Sequence, residues 1–336
     1  MTEAELVARA VAGQQDAFDE LVAGYRRPVF RHCYRMLGSG SDAEDATQDT
    51  LERAWRGLAG YDGSGPFGGW LHRIATNVCL DTRRAAARRP VLVSVDRLSV
   101  DRLSVDRLGE PEAWVEPVRD EALFGPGDPL DAVLRNEEIS LAFVAALQLL
   151  APRQRAALLL HDVLGFSHGE VAEVLEISPG AVNSLLSRAR ETVRRDAGDR
   201  QPASTDPLVQ DLLRRYLRAW RLADIDGLLG VVTDDVALSM PPALDRFDGS
   251  AAVAAFVEAV IFGPSRPAGV AVWPGSCNGQ PAVANYWPDA SGSLVVAGVQ
   301  ILQLAMVDGS PLVAEIVSYR DPDLAVRCGF PACYPG

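Results

Sequence analysis

Near residue 200 the hydrophobic period of the chain changes. Up to about Arg195, apolar residues recur at the three- and four-residue spacing of amphipathic helices. After "AGDRQPASTDP" (197–207) one helical stretch (208–222) leads into strand-like runs, "GVAVW", "PAVANYW", "SLVVAGVQILQLAMV" and "LVAEIVSY", separated by Gly, Pro, Asn and Asp. A single core does not serve both patterns, and 336 residues are more than one small domain needs. A second break falls in the helical part, where "GEPEAWVEPVRDEALFGPGDP" is rich in Pro, Gly and acid and reads as a linker. The expected fold class is therefore multidomain: two all-α domains (1–90 and 131–198) joined by a linker (91–130), then an α+β domain (205–336).

The net charge of −13 argues against a protein that coats nucleic acid indiscriminately. Its distribution is uneven: 12 Arg face 12 acids in residues 1–90, but 4 face 9 in 91–130. Five cysteines, an odd and scattered set with no histidine beyond His168, point to neither a disulfide framework nor a metal site. The longest apolar stretch, "LAFVAALQLLAPRQRAALLL", is interrupted by Pro152, Arg153 and Arg155, so no membrane span is expected. A soluble cytoplasmic protein without cofactor follows as the expectation.

In "SHGEVAEVLEISPGAVNSLLSRARETVRR" (167–195) two helices flank a tight turn, and Ser178-Pro179 is a good helix start. Val182, Leu185, Leu186, Ala189 and Val193 fall within one arc of roughly 100°. The other side carries Asn183, Ser184, Ser187, Arg188, Arg190, Arg194 and Arg195. Polar side chains near the N-terminus with arginines further along suit the major groove of DNA. An ordinary amphipathic hairpin with a solvated face fits the same pattern.

Upstream, "SDAEDATQDTLERAW" (41–55) opens with a capping residue and acids, and sets Asp45, Gln48, Asp49 and Glu52 on one face. In "GPFGGWLHRIATNVCLDTRRAAARR" (65–89), Trp70, Leu71, Ile74 and Val78 form a core face. Arg73 and Asn77 lie outside it, and Arg83, Arg84, Arg88 and Arg89 follow. An acidic face thus stands beside a basic one, a pairing that suits protein docking beside nucleic acid; a well-capped surface helix and a basic helix end that its dipole tolerates fit the same residues.

Together these blocks resemble extracytoplasmic-function sigma-70 factors. "DAEDATQDTLERAWRGLAGYDGSGPFGGWLHRIATNVCLDTRR" is similar to their domain two, and "LQLLAPRQRAALLLHDVLGFSHGEVAEVLEISPGAVNSLLSRAR" to their domain four. The resemblance implies binding to core RNA polymerase and to promoter DNA. It assigns Asp45, Gln48, Asp49 and Glu52 to the clamp helices of the polymerase β′ subunit, and domain four to the β flap. It assigns Arg73, Asn77, Arg83 and Arg84, with the 61–69 loop, to the −10 element. Asn183, Ser184, Ser187 and Arg188 fall to the −35 element, although many relatives carry a basic residue where this chain has Asn183.

The remaining part, from "LVQDLLRRYLRAWRLADIDGLL" through "FDGSAAVAAFVEAV", resembles the SnoaL-like, nuclear-transport-factor-2-like cone, in which a curved sheet wraps around helices. That fold hosts enzymes and binding modules alike. The absence of histidine after His168 removes the commonest general base, so no catalytic residue is assigned. Asp248, Glu258, Tyr286, Trp287 and Glu315 remain pocket candidates, with structural roles as the alternative. Two functions stay open for this domain: a regulator acting in cis on the sigma domains, or a domain that binds or converts a small molecule.

Between the sigma blocks stands "SVDRLSVDRLSVDRL" (94–108). A five-residue step puts Leu98, Leu103 and Leu108 on no common helical or strand face. The repeat reads as an expansion in a tolerant linker, and Trp114 in "AWVEPV" is the better candidate there for an anchor onto the C-terminal domain, with incidental packing as the alternative.

Overall fold

The computed structural model describes residues 1–61, 63, 65–86, 115–124, 139–196, 202, 206–241, 245–264, 266 and 268–335. Its contacts form two compact units, Met1–Val115 with Ala142–Gly198, and Glu116–Leu141 with Asp199–Gly336. No helix among the described residues is long and apolar enough to cross a membrane.

The regular structure among the described residues of the first unit is helical. Its leading part holds α1 (Glu3–Val11), α2 (Gln15–Ala23), α3 (Arg26–Leu37), α4 (Gly40–Gly57) and α5 (Phe67–Ala86). Thr2 and Glu5 close a reciprocal capping box on α1. Helix α3 stops because Gly38 turns left-handed (φ 77°), a conformation costly for most other residues. The cap of α4 is Ser39, whose hydroxyl accepts from the Asp42 amide at 3.2 Å, so the helix begins a little before the sequence suggested. Val29, Cys33, Tyr34, Ala54, Leu71, Ala75 and Val78 pack between α3, α4 and α5 with almost no exposure.

Two histidines share that core. His32 Nε2 lies 2.9 Å from the Thr76 hydroxyl, and His72 Nδ1 lies 2.7 Å from the Gly68 carbonyl. Burial holds both rings toward the neutral form, with each pKa below its ordinary value.

The second part of this unit comprises α7 (Leu141–Gln148), α8 (Pro152–Leu158, prolonged by a π-turn over Leu159–Val163), α9 (His168–Leu175) and α10 (Pro179–Asp196). A Ser167–Glu170 capping box starts α9, and Glu176, left-handed at φ 52°, ends it to make the tight turn before α10. Val171, Ala172 and Leu175 on α9 and Val182, Leu186 and Ala189 on α10 are all buried, as the helical period of the sequence requires.

The second unit contains a six-stranded mixed sheet of order β2-β1-β6-β5-β4-β3. The strands are β1 (Val232–Ser239), β2 (Arg246–Asp248), β3 (Ala271–Cys277), β4 (Gln280–Pro288), β5 (Leu294–Val307) and β6 (Ser310–Tyr319). Among the described residues, β1 and β6 pair in parallel and the other neighbouring strands are antiparallel. One face is covered by α11 (Pro207–Leu222), α12 (Ile225–Leu229) and α13 (Ser250–Phe256), whose Leu213, Tyr216, Trp220 and Val253 join Val236, Val283, Leu302 and Ile316 in one core. This is the helix-filled, curved-sheet arrangement of the cone-shaped α+β class.

The opposite face is covered by chain rather than by long helices. Helix α14 (Pro322–Arg327) and the tail behind it lie along β5, where the Val296 amide donates to the Ala332 carbonyl at 2.9 Å. Phe330 comes so close to β3 that a Cβ at Gly275 would sit 2.6 Å from its ring, which is why glycine stands there. The other cover is the interdomain segment, with its short helix α6 (Asp120–Leu123). Val118, Leu123 and Ile139 are buried, each worth about 1.5–3 kcal/mol of apolar transfer.

That segment is gripped by the β3–β4 turn. Asn278 (φ 54°) and Gly279 (φ 69°) give the turn the left-handed pair of a tight hairpin. The Asn278 amide donates to the Val118 carbonyl at 3.0 Å, and the Val118 amide donates back to Asn278 Oδ1 at 2.8 Å. Asn278 Nδ2 donates to the Ile139 carbonyl (2.7 Å), and Gln280 Oε1 accepts from the Leu141 amide (2.7 Å). Asp120 Oδ1 accepts from the Gly279 amide at 2.7 Å, and burial raises that carboxyl group above its ordinary pKa. The Cys328 thiol donates to the Pro117 carbonyl at 3.4 Å. One four-residue turn therefore holds both described ends of the interdomain segment.

Candidate functional site

Helix α4 presents the acidic face. Asp45, Gln48, Asp49 and Glu52 line one groove of about 380 Å³ with Asp42, Ala46 and Thr82. Internal pairs temper the charge: Arg53 reaches Asp49 at 3.1 Å and Asp81 at 3.2 Å, and Arg56 reaches Glu52 at 3.0 Å. These partners are largely exposed, so the ion pairs are weak and exchangeable. The groove suits a partner surface that carries several arginines or lysines.

Helix α5 carries the next group. Asn77 is exposed, whereas Arg73 is half-buried and its guanidinium reaches Glu173 Oε2 on α9 at 2.8 Å. Arg83 is partly buried and donates to Gln148 Oε1 at 3.2 Å. Ahead of α5, Tyr61, Phe67 and Trp70 form an aromatic cluster with ring centroids 5.3–5.6 Å apart. The Tyr61 hydroxyl closes the loop onto the Gly65 carbonyl at 2.6 Å. The side chain of Arg84 lies outside the described residues, as do Asp62, Ser64, Trp114 and the whole SVDRL repeat.

On α10, Asn183, Ser184, Ser187 and Arg188 are all exposed on the side away from the Val182–Leu186–Ala189 contact. Arg190 is committed elsewhere, as a two-pronged pair with Asp162 at 2.8 and 2.6 Å. That pair holds the Asp162 carboxyl below its usual range. Four adjacent polar side chains at the start of a helix, free of core duties, form a surface able to enter a groove of DNA.

The comparisons with known proteins agree with this geometry. Residues 21–89 match the Sigma-70 region 2 model and residues 140–193 match the Sigma-70, region 4 model. The ECF RNA polymerase sigma factor SigG of Mycobacterium tuberculosis is 40% identical over 313 residues, 91% of this chain and 82% of that protein. The chain belongs to the ECF RNA polymerase sigma factors. The sigma factor SigM of M. tuberculosis is 31% identical over 197 residues, which are 59% of this chain and 85% of SigM. Relatives of that size leave a large part of this sigma factor unmatched. A crystal structure of the M. tuberculosis extracytoplasmic function sigma factor SigJ covers 91% of this chain and 98% of its own, with a TM-score of 0.59 at 24% identity. That likeness extends the shared fold over most of the length.

This sigma factor therefore binds core polymerase, recognises −10 and −35 promoter elements and starts transcription. Among its pocket candidates, Asp248 and Glu315 meet through Arg246, at 3.0 and 3.1 Å. Tyr286 lies apart from them, under the C-terminal tail, with its hydroxyl donating to the Pro331 carbonyl at 2.9 Å. Burial pushes that phenol up to about 12. Trp287 is half-buried one residue further along β4, and Glu258 lies in the π-turn after α13.

Sequence reasoning missed two sets of residues. The hairpin turn was announced by Asn-Gly between two strand-like runs, a strong turn signal on its own. Arg155 and Gln148 gave no signal. A charged side chain with no exposure is rare, and nothing in the local pattern separates it from a solvated one.

Proposed function

We propose that this sigma factor is regulated in cis, with the C-terminal domain acting on the interdomain segment. What supports this is the grip of Asn278 and Gln280 on backbone groups of Val118, Ile139 and Leu141. A sigma linker has to run across polymerase between the two promoter elements. While residues 116–124 and 139–141 lie on the β3–β4 hairpin, they are withheld from that path. Releasing them is the step the domain controls.

The residue roles follow the exposed surfaces. Asp45, Gln48, Asp49 and Glu52 dock on basic residues of the β′ clamp helices, and domain four meets the β flap. Asn77 and the aromatic loop before α5 receive a base extruded at the −10 element, and Arg73, Arg83 and Arg84 steady the backbone. Unstacking costs a few kcal/mol per step, offset by contacts in the pocket. Asn183, Ser184, Ser187 and Arg188 read the −35 element, with about 1–3 kcal/mol of discrimination per good base contact. The protein acts in the cytoplasm, where polymerase is.

The C-terminal domain works as a regulator rather than an enzyme. It has no histidine, and the carboxylates of Asp248 and Glu315 are occupied by Arg246. One observation favours the small-molecule alternative: Asn285 Oδ1 is buried with no hydrogen-bond partner among the described residues. In vitro transcription with core polymerase tests the reading, comparing the full chain with Asn278→Ala combined with Gln280→Ala. The release variant is expected to raise output severalfold; equal output sinks cis regulation. A compound that changes the output of the unaltered chain alone would favour the alternative.

A further inference from the structure

The five cysteines are scattered in sequence, yet four of them meet in pairs. Cys33 on α3 and Cys79 on α5 adjoin in the helical unit, sealed in its core. Cys277, the last residue of β3, and Cys328, which caps α14, adjoin in the sheet unit, where the Cys277 thiol donates to the Cys328 carbonyl at 3.9 Å. Cys333 is exposed.

The second pair differs from the first in what covers it, which is the interdomain segment. The Cys328 thiol donates to the Pro117 carbonyl at 3.4 Å, and Arg119 forms a one-rung β-bridge with Cys277. Both cysteines are buried beneath this cover. The hydrogen bond to Cys328, and after it burial, push the Cys277 thiol well above its ordinary pKa, and Asp120 and Glu121 add to the shift. Under the segment the pair is unreachable and inert. Asn278, which pairs with Val118, is the residue after Cys277, so lifting the segment from the hairpin uncovers both sulfurs.

Grip and thiol state are therefore linked. A reduced Cys328 gives the segment a hydrogen bond that a disulfide sulfur, with no hydrogen to donate, does not. To the extent that the gripped form favours the thiols, oxidation favours release by the same factor.

We propose that Cys277 and Cys328 are a release-gated dithiol, oxidised by hydrogen peroxide to a disulfide when the interdomain segment lifts, and that the disulfide in turn favours the lifted form. The Cys328 thiol, nearest the segment, reacts first: its sulfur attacks the peroxide, an S–O bond forms, the O–O bond breaks and water leaves. The Cys277 sulfur then displaces the sulfenic hydroxyl, an S–S bond forms and a second water leaves. Two electrons pass from the sulfurs to the peroxide, and both thiol protons end in water. The effect on transcription rests on the cis-regulation reading; the chemistry and its gating do not.

The test uses the full chain with the exposed thiol removed by Cys333→Ser. Peroxide treatment is followed by alkylation of the remaining thiols and mass mapping. The expected product is a Cys277–Cys328 disulfide, formed roughly tenfold faster when Asn278→Ala and Gln280→Ala loosen the segment, with Cys33 and Cys79 still reduced. Hydrogen exchange of residues 116–124 should be several-fold faster in the oxidised than in the reduced protein, the worth of about one hydrogen bond, and dithiothreitol should restore it. Cys328→Ser keeps a hydroxyl for the Pro117 carbonyl and lacks the sulfur, so its exchange should not respond to peroxide. Equal disulfide rates in the parent and loosened proteins overturn the gating. A disulfide that leaves exchange unchanged overturns the link to release, and single oxidation of either thiol without cross-linking overturns the pair. Failure of cis regulation reads differently: disulfide and exchange behave as stated, which upholds the dithiol, while transcription with core polymerase is equal for reduced, oxidised and loosened proteins.

Discussion

Asn278 and Val118, 160 residues apart, exchange two hydrogen bonds, amide to carbonyl at 3.0 Å and amide to side-chain oxygen at 2.8 Å. The pairing reproduces one rung of an antiparallel sheet with a side chain standing in for one backbone group. Replacing Asn278 by Ala takes away the partners of the buried Val118 amide and Ile139 carbonyl and puts at φ 54° a residue less tolerant of left-handed backbone than Asn. The combined cost is about 2–5 kcal/mol. Hydrogen exchange should show residues 115–124 losing protection by two or more orders of magnitude while the sheet keeps its own.

Asp120→Asn should have the opposite sign. The burial that raises the Asp120 pKa makes its charged form the unfavourable one, and Asn keeps an acceptor for the Gly279 amide. A carboxyl with a raised native pKa loses stabilising effect as pH climbs from about 3.8 through the native value. The variant should melt higher than the parent at pH 7, with the gap closing toward pH 4.

The buried histidines set an acid limit for the helical unit. His32 and His72 have lowered pKa values when folded and an ordinary value of 6.5 when unfolded. Their contribution is complete above pH 6.5 and is lost as pH falls below it, at up to about 1.4 kcal/mol per pH unit for each ring. Thermal melts between pH 7 and 5 should show that slope in the helical transition. A flat profile would place the two rings in contact with water.

Asn77→Ala and Arg188→Ala separate the two DNA surfaces. Both side chains are exposed, so melting should be unchanged. Open-complex formation should fall about 5- to 100-fold for Asn77→Ala with −35 binding intact. Arg188→Ala should weaken −35 duplex binding and, where it meets phosphate, reduce the salt slope by about one.

Removing one SVDRL copy from 94–108 should leave polymerase binding and promoter choice nearly unchanged. The remaining chain still spans on the order of 100 Å or more when extended. A large loss of transcription would assign the repeat a function beyond length.

Much of the fold was legible because it obeys periodicity. The faces of α4, α5 and α10 follow from a 3.6-residue period, and β3 to β6 coincide with the apolar runs that turn residues separate. The exposed polar sets on those helices followed as well, since they are what the core faces leave over. What stayed hidden depends on partners distant in sequence. Gln148 and Arg155 find hydrogen-bond partners on α3, more than a hundred residues away, and Asp120 finds its own in Gly279. The segment around Val118 carries linker composition, yet buried apolar side chains, Val118 and Leu123 among them, and a set of hydrogen bonds bind it to the sheet.

Along the chain, domain four is an insertion. The unit that contains the sheet contributes residues on both sides of it, Glu116–Leu141 before and Asp199–Gly336 after. A stop codon near position 200 is therefore no simple amputation. It would strip Val118, Leu123 and Ile139 of their cover and leave the amides of Val118 and Leu141 without acceptors, in the middle of the surviving product. Such a shortened protein exposes permanently an apolar segment that the full-length one keeps covered while the hairpin holds it. Its behaviour would mix the loss of a regulator with the gain of an aggregation site, so point substitutions at the hairpin are the cleaner genetics.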